Sequence, residues 1–302
     1  MSIDGGGAAV VVDDDGYDRS KEVKDFDDSK IGVKGLVDSG ITSIPRFFVH
    51  PPESLPSISG PTTQSPISHD DHRIPIVDLS SVNSDCRSII VDQINEASRT
   101  WGFFQIINHD ISLDVIDRTI SSIKAFNEQP TEIKSKYYTR DMERGVGFAS
   151  NFDLFRSKAA SWRDSLQLRM GPTPPDFDLI PEICRRELIE WDQQITRLGE
   201  TLMGILCEGL GLKTDRLKEM TCLEGRTLAS HYYPYCPQPD LTVGTKRHTD
   251  PGVLTVLLQD QIGGLQVKLG EDWVEVKPLA GALVINIGDI LRVEQYYKDT
   301  KF

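Results

Sequence analysis

In the stretch KRHTDPGVLTVLLQD, Lys246 to Asp260, an imidazole and a carboxylate, His248 and Asp250, stand two residues apart just ahead of an apolar run. On an extended chain residues i and i+2 project to the same side, so the two side chains can reach one cation together. Two ligands do not make a working metal site, and a chain with six histidines and many aspartates contains a His-x-Asp by chance. On the pair alone, a solvated turn before a strand is the simpler reading. The rest of the chain decides between the two.

The pair lies in a region of short strands punctuated by turns: RTLASHYYP, GVLTVLLQD, GLQVKL, DWVEVKP and GALVINIGDI, all after Gly225. Strands of this length and spacing suggest a sandwich or jelly roll, with a site at the mouth of the barrel. Ahead of them the texture is helical. RIPIVDLS reads as a short strand and GFFQIINH as a buried one. Between them Ile90, Ile94, Ala97 and Trp101 recur at helical spacing from about Asp85. A second helix starts at Ser112, an apt N-cap, and the longest runs from about Pro181 to Glu208 with Gly209 and Gly211 to stop it. This predicts an all-β half built on a helical one.

The expected segments are a disordered Gly, Ala and Asp-rich start (1–15), a wrapping arm and linker (16–72), a helical N-terminal domain (73–180), a long supporting helix (181–224) and the β region (225–302). Within the arm, Phe47, Phe48 and Val49 are too apolar to stand free and are expected to lie against the folded body.

At 302 residues with 38% hydrophobic composition, the chain has material for a sizeable core. Acidic residues outnumber basic ones 46 to 33, a formal charge of -13 with no basic run, which argues against nucleic acid and anionic membrane as partners. The N-terminus lacks a basic region before its short apolar piece, so no secretory signal is expected, and no apolar run approaches a membrane span. Five cysteines without Cys-x-x-Cys spacing suit a reducing compartment, and a cytoplasmic location is expected.

Several motifs in order then carry a resemblance. HYYPYCPQPDLTVG, the His-x-Asp pair, GGLQV, DWVEV and NIGD resemble the plant iron(II) and 2-oxoglutarate-dependent dioxygenases, and IPIVDLS, WGFFQIINHDI and SWRDSL resemble the helical domain that precedes their jelly roll. FDDSKIGVKGLVDSGITSIPRFFVHPP and GVGFASNFDLFRSKAASWRDSL look like the group called 1-aminocyclopropane-1-carboxylate oxidase homologues. The resemblance runs from about Tyr17 to Leu291. It implies an α+β fold, a helical N-terminal domain followed by a double-stranded β-helix (jelly roll) core, the core incomplete at its C-terminus.

The resemblance also implies a chemistry. In the family Fe(II) is held by two histidines and a carboxylate on one face of its octahedron, leaving positions for 2-oxoglutarate and O2. His248 and Asp250 match the first two ligands. Tyr233 matches a tyrosine that contacts a carboxylate of 2-oxoglutarate. The implied cofactors are Fe(II), 2-oxoglutarate as co-substrate and ascorbate as an accessory, and the implied partners are O2 and a small specialised metabolite to be hydroxylated or desaturated. The family's second histidine and its Arg-x-Ser have no counterpart, since no histidine follows His248 and NIGD is followed only by ILRVEQYYKDTKF. Truncation and inactivity are therefore the expectation for this chain, with a non-catalytic binding or regulatory isoform, or an unstable splice fragment, as the alternative.

Other chemistry-bearing residues take structural readings. His231 is expected to be a pocket polar group or a satisfied core residue. His50, His69, His72 and His109 are expected to be structural or solvated, and Arg292 a surface charge. Cys236 and its flanking prolines shape a turn, while Trp162, Arg163 and Asp164 match a family motif and are given a structural role.

Overall fold

The protein is described here by a computed structural model covering residues 16–55, 73–270 and 272–291. The expectations for residues 1–15, for the linker with His69 and His72, and for Arg292 lie outside the described residues. The arm carries α1 (Arg19–Ser29) and α2 (Gly32–Asp38); α3 (Arg87–Thr100), α4 (Leu113–Asn127), α5 (Thr131–Lys134), α6 (Glu182–Gly209) and α7 (Arg216–Glu219) follow. The strands are β1 (Ile76–Asp78), β2 (Phe103–Ile107), β3 (Val146–Ala149), β4 (Asp164–Arg169), β5 (Thr227–Tyr232), β6 (Leu254–Leu257), β7 (Gln266–Leu269), β8 (Asp272–Glu275) and β9 (Leu283–Ile287). Among the described residues, no helix is long and apolar enough to cross a membrane.

The helices form where their apolar residues recur on one face. In α3, Ile90, Val91, Ile94 and Ala97 are buried, and α4 begins at Ser112, whose Oγ accepts the Val115 N–H at 3.3 Å. The 28-residue α6 buries Leu198, Leu202, Met203, Ile205 and Leu206 against Phe104 and Ile106 of β2 and Leu283, Ile285 and Ile287 of β9. Burying side chains of this size contributes about 1.5–3 kcal/mol each. That packing fixes the sheet on which the candidate site rests.

The sheet has strand order β1-β2-β9-β6, with β1 and β2 parallel and the other pairs antiparallel. A second sheet runs β3-β4-β5, and β7 and β8 form a hairpin. The sheets take strands from both sides of Gly225, so the helical part and the β part share them. β9 completes the ladder that β2 begins, and β5 pairs with β4. Neither β3 nor β4 was expected as a strand, because both are buried on nearly every residue and lack the alternation that marks a half-exposed strand.

In β9, alternate residues serve two faces. Leu283, Ile285 and Ile287 face the helices, whereas Val284 packs in a separate apolar cluster with Val267, Val274 and Val276. Asn286 shares the second face. β6, on the edge, leaves Leu254, Val256 and Leu257 half-buried.

The arm does lie against the body as expected. Phe47 and Phe48 are buried, and the Phe48 ring meets Trp162 edge-on at 4.9 Å, although Val49 stays exposed. The Asp164 carboxylate, buried under the arm, accepts the N–H groups of Val33 and Lys34 at 2.8 and 2.9 Å and the Ser150 hydroxyl at 2.8 Å. Gly32, at φ +67°, makes that approach possible: a Cβ there would stand 2.7 Å from Asp164 Oδ1.

Candidate active site

His248 and Asp250 converge, with His248 Nε2 3.5 Å from Asp250 Oδ1. They do so from a loop and not from a strand, since β6 begins only at Leu254. The backbone period that motivated the pair is thus not what aligns it. Each side chain is aimed by a bond to its far atom. The Nδ1 of His248 lies 2.8 Å from the Lys246 carbonyl and donates its proton there, which leaves Nε2 facing Asp250. Asp250 Oδ2 accepts from Thr255 Oγ1 at 2.6 Å and from Asn286 Nδ2 at 2.9 Å, which leaves Oδ1 facing His248. The neighbouring His248 and these two donors hold the Asp250 carboxyl well below the usual carboxylate range, and Asp250 in turn raises His248.

Thr255 and Asn286 are direct partners in the β6–β9 ladder, so the sheet itself sets the carboxylate's angle. The rest of NIGD holds the same loop. The Asp289 N–H donates to the Asp250 carbonyl at 2.8 Å, and the Asp289 carboxylate accepts from Thr249 Oγ1 at 2.8 Å. Gly288 lets the backbones meet: a Cβ there would stand 2.1 Å from the Gly252 carbonyl oxygen. Sequence reasoning noted NIGD and assigned none of its residues a task. The signal that was available is an Asn at the alternate position of an otherwise apolar strand.

Across from the loop, His231 at the end of β5 and Tyr233 just beyond it project to the same side, their rings 6.4 Å apart. The Tyr233 ring lies on Gly244, where a Cβ would come within 2.7 Å, and its hydroxyl is 3.0 Å from Thr245 Oγ1. Arg163 Nη1 donates to that Oγ1 at 2.7 Å. His231 Nδ1 pairs with Ser165 Oγ at 2.8 Å. Although part of its ring meets solvent, the atoms packed around it, with the charges of Arg163 and His248, push its pKa down to about 3. Among the described residues no three His, Cys, Asp or Glu side chains are placed to hold one metal ion, so His231 does not join His248 and Asp250.

The other nominated residues are structural. His50 Nε2 and His109 Nε2 each pair with a backbone carbonyl, of Ala160 and Gly281 respectively. Trp162 Nε1 donates to the carbonyls of Pro234 and Tyr235, which fixes the loop that follows β5. All five cysteines are free thiols.

The donors present suit iron(II) at two positions, an imidazole nitrogen and a carboxylate oxygen 3.5 Å apart. Residues 225–300 match the 2OG-Fe(II) oxygenase superfamily, and residues 74–182 match the family described as non-haem dioxygenase in morphine synthesis N-terminal. The chain belongs to the 2OG-Fe(II) oxygenase superfamily, dioxygenases that use Fe(II) and 2-oxoglutarate. It is 46% identical over 278 residues to 1-aminocyclopropane-1-carboxylate oxidase homolog 1 of Arabidopsis thaliana, covering 91% of this chain and 74% of that protein. It is 45% identical over 276 residues to deacetoxyvindoline 4-hydroxylase of Catharanthus roseus, covering 90% and 68%. The crystal structure of JOX2 in complex with 2OG, Fe and JA matches with a TM-score of 0.75 at 30% identity, over 87% of this chain and 74% of that one. The fold is accordingly α+β with the jelly-roll core of these oxygenases.

Proposed function

We propose that His248 Nε2 and Asp250 Oδ1 are two of the protein's ligands to iron(II), and that Tyr233 contacts 2-oxoglutarate, in an oxygenase that hydroxylates or desaturates a small specialised metabolite. The observation that carries this reading is the paired aiming of the two side chains. Each has its remote atom tied, His248 Nδ1 to Lys246 and Asp250 Oδ2 to Thr255 and Asn286, and each presents its other atom to the same point. Bonds of this kind orient metal ligands and set their protonation. Bound iron(II) supplies the oxidising chemistry with O2 and 2-oxoglutarate; the residues named here hold it and keep Asp250 ionised and His248 in the Nδ1–H form. Hydroxylation of a small molecule is supported by the Catharanthus relative, a 4-hydroxylase. The free thiols and the net charge of -13 fit a cytoplasmic protein whose partners are neither nucleic acid nor membrane.

A second reading concerns the polypeptide of these 302 residues by itself. With two candidate ligands together and no third among the described residues, these residues by themselves hold iron weakly, by at least the roughly 10 to 100-fold that loss of a supporting group costs, and serve binding or regulation. Succinate release from 2-oxoglutarate tests both readings. The 302-residue polypeptide is expected to release no more than its His248→Ala variant. A polypeptide continued with the family's second histidine and Arg-x-Ser is expected to release succinate and to lose that activity on His248→Ala or Asp250→Ala. Full activity in either of those variants would overturn the assignment of the ligands.

A further inference from the structure

A chain of hydrogen bonds runs from Arg163 through Thr245 to Tyr233, and its direction can be read from its first member. Other partly buried arginines of the protein rest on carboxylates: Arg87 on Glu208, Arg118 on Glu190, Arg140 on Asp27 and Arg226 on Asp192. Among the described residues Arg163 has no carboxylate against it, and its one side-chain acceptor is Thr245 Oγ1, reached by Nη1 at 2.7 Å. A guanidinium donates and never accepts. Thr245 Oγ1 is therefore the acceptor in that bond, and its other contact, at 3.0 Å, is the Tyr233 hydroxyl.

Taken alone, a threonine–tyrosine contact can run either way. Were Tyr233 the donor, two donors would crowd onto Oγ1, and the Thr245 proton would have no acceptor among the described residues. A cationic donor also draws electron density from Oγ1, which makes it a poorer second acceptor and its O–H a stronger donor. The Thr245 proton thus goes to Tyr233 Oη, and the Tyr233 proton points away from Thr245. The Tyr233 ring is seated on Gly244, where a Cβ would stand 2.7 Å from it, so Oη is held in place. Its hydroxyl is within reach of a ligand, since Tyr233 is 51% exposed. Thr245 immediately precedes Lys246, whose carbonyl aims His248, so the chain of bonds ends beside the candidate site.

We infer that Arg163 and Thr245 are positioning residues that commit the Tyr233 hydroxyl to donate, so that the place beside it takes an acceptor oxygen, of a carboxylate or a carbonyl, in preference to an N–H or ammonium group. The inference deepens the proposed contact between Tyr233 and 2-oxoglutarate, and rests on that reading for the identity of the ligand alone. The direction of the bonds needs neither metal nor ligand for its test.

Raman spectroscopy of the 302-residue chain provides that test. The intensity ratio of the tyrosine Fermi doublet is high where a phenol oxygen only accepts and low where the phenol only donates. Subtracting the spectrum of the matched Tyr233→Phe protein isolates Tyr233. Thr245→Val removes the hydrogen bond that Tyr233 accepts while keeping the side chain's shape, and is expected to lower the ratio. Thr245→Ser keeps the hydroxyl but loses the methyl group, and is expected to hold the ratio at the wild-type value, which separates the bond from the packing. Arg163→Met frees Oγ1 to accept from Tyr233 and is expected to lower the ratio at least as far as Thr245→Val does. A ratio that rises or stays unchanged in Thr245→Val, or stays unchanged in Arg163→Met, would overturn the inference. Adding 2-oxoglutarate to the wild-type protein is expected to lower the ratio further, as the outward proton meets a carboxylate. A doublet that 2-oxoglutarate leaves unmoved while Thr245→Val lowers it would overturn the assignment of Tyr233 to that co-substrate and uphold the direction of the bonds.

Discussion

Thr255 and Asn286 face each other across the β6–β9 ladder and donate to the same atom, Asp250 Oδ2, at 2.6 and 2.9 Å. A carboxylate in a loop is thereby given the angular precision of a sheet. The pairing also makes the two donors separable from the candidate ligands themselves, since neither points at His248.

Asn286→Ala and Thr255→Val are each expected to weaken Mn(II) or Fe(II) binding by roughly 10 to 100-fold while leaving His248 in place, because Oδ2 then competes with Oδ1 for the cation. Calorimetric titration of each variant under anaerobic conditions checks this. Affinities within about twofold of wild type would show that the loop backbone alone aims Asp250.

Gly288→Ala is expected to be destabilising by about 3 kcal/mol or more, since its methyl group meets a backbone oxygen, Gly252 O, at 2.1 Å and not a movable side chain. Urea unfolding measures the loss. Gly225→Ala, where a Cβ meets nothing within 4 Å, serves as the matched control and is expected to change stability little.

How much of this was legible in the sequence depends on the range of the interaction involved. His248 and Asp250 could be nominated only through the ordered motifs around them, because the pair alone reads more simply as a solvated turn. Their alignment could not, because the i, i+2 rule assumes a strand and the residues sit in a loop, where partners far along the chain do the aligning. Helix α6 and the Ser112 cap were readable for the opposite reason: period and capping are written within a few residues. Strands β3 and β4 escaped because burial on both faces erases alternation. Arg163 was read as structural, and its missing counter-ion is a fact about three-dimensional neighbours that no linear pattern records.

Asp164→Ala is expected to release the arm. It removes the acceptor for Val33 N–H, Lys34 N–H and Ser150 Oγ, and it takes away one of the carboxylates, beside Asp38 and Glu128, that act on the buried Lys134 ammonium, a combination on the order of 3 to 5 kcal/mol. Hydrogen exchange at the Val33 and Lys34 amides is the direct observation. Wild-type protection there in the variant would show that Phe47, Phe48 and Trp162 hold the arm unaided.

Acid should loosen the same region through His50. Burial, with the charge of Lys246, holds the His50 pKa below its ordinary 6.5, while Nε2 bonds the Ala160 carbonyl. The unfolded chain therefore takes up a proton at a pH where the folded one does not. The stability tied to neutral His50 is full above the ordinary value and declines as pH falls through it toward the folded one. The melting temperature is expected to fall between about pH 7.5 and 5.5, and to fall less in His50→Gln. Parallel pH profiles for the two proteins would exclude His50 as the cause.

The central position of β9 between β2 and β6 has a consequence for how the molecule comes into being. β2 is made early, with Phe104 and Ile106 destined for the core, yet its neighbour on one side comes from the far end of the described chain. Contacts so distant along the sequence form late and slowly, because a long loop must close before they are rewarded. Until β9 docks, β2 keeps an unpaired apolar edge, which is an invitation to aggregate during synthesis. The residues that aim Asp250 sit on and beside β9, so the candidate site takes shape at the end of folding: the chemistry of this protein is assembled last.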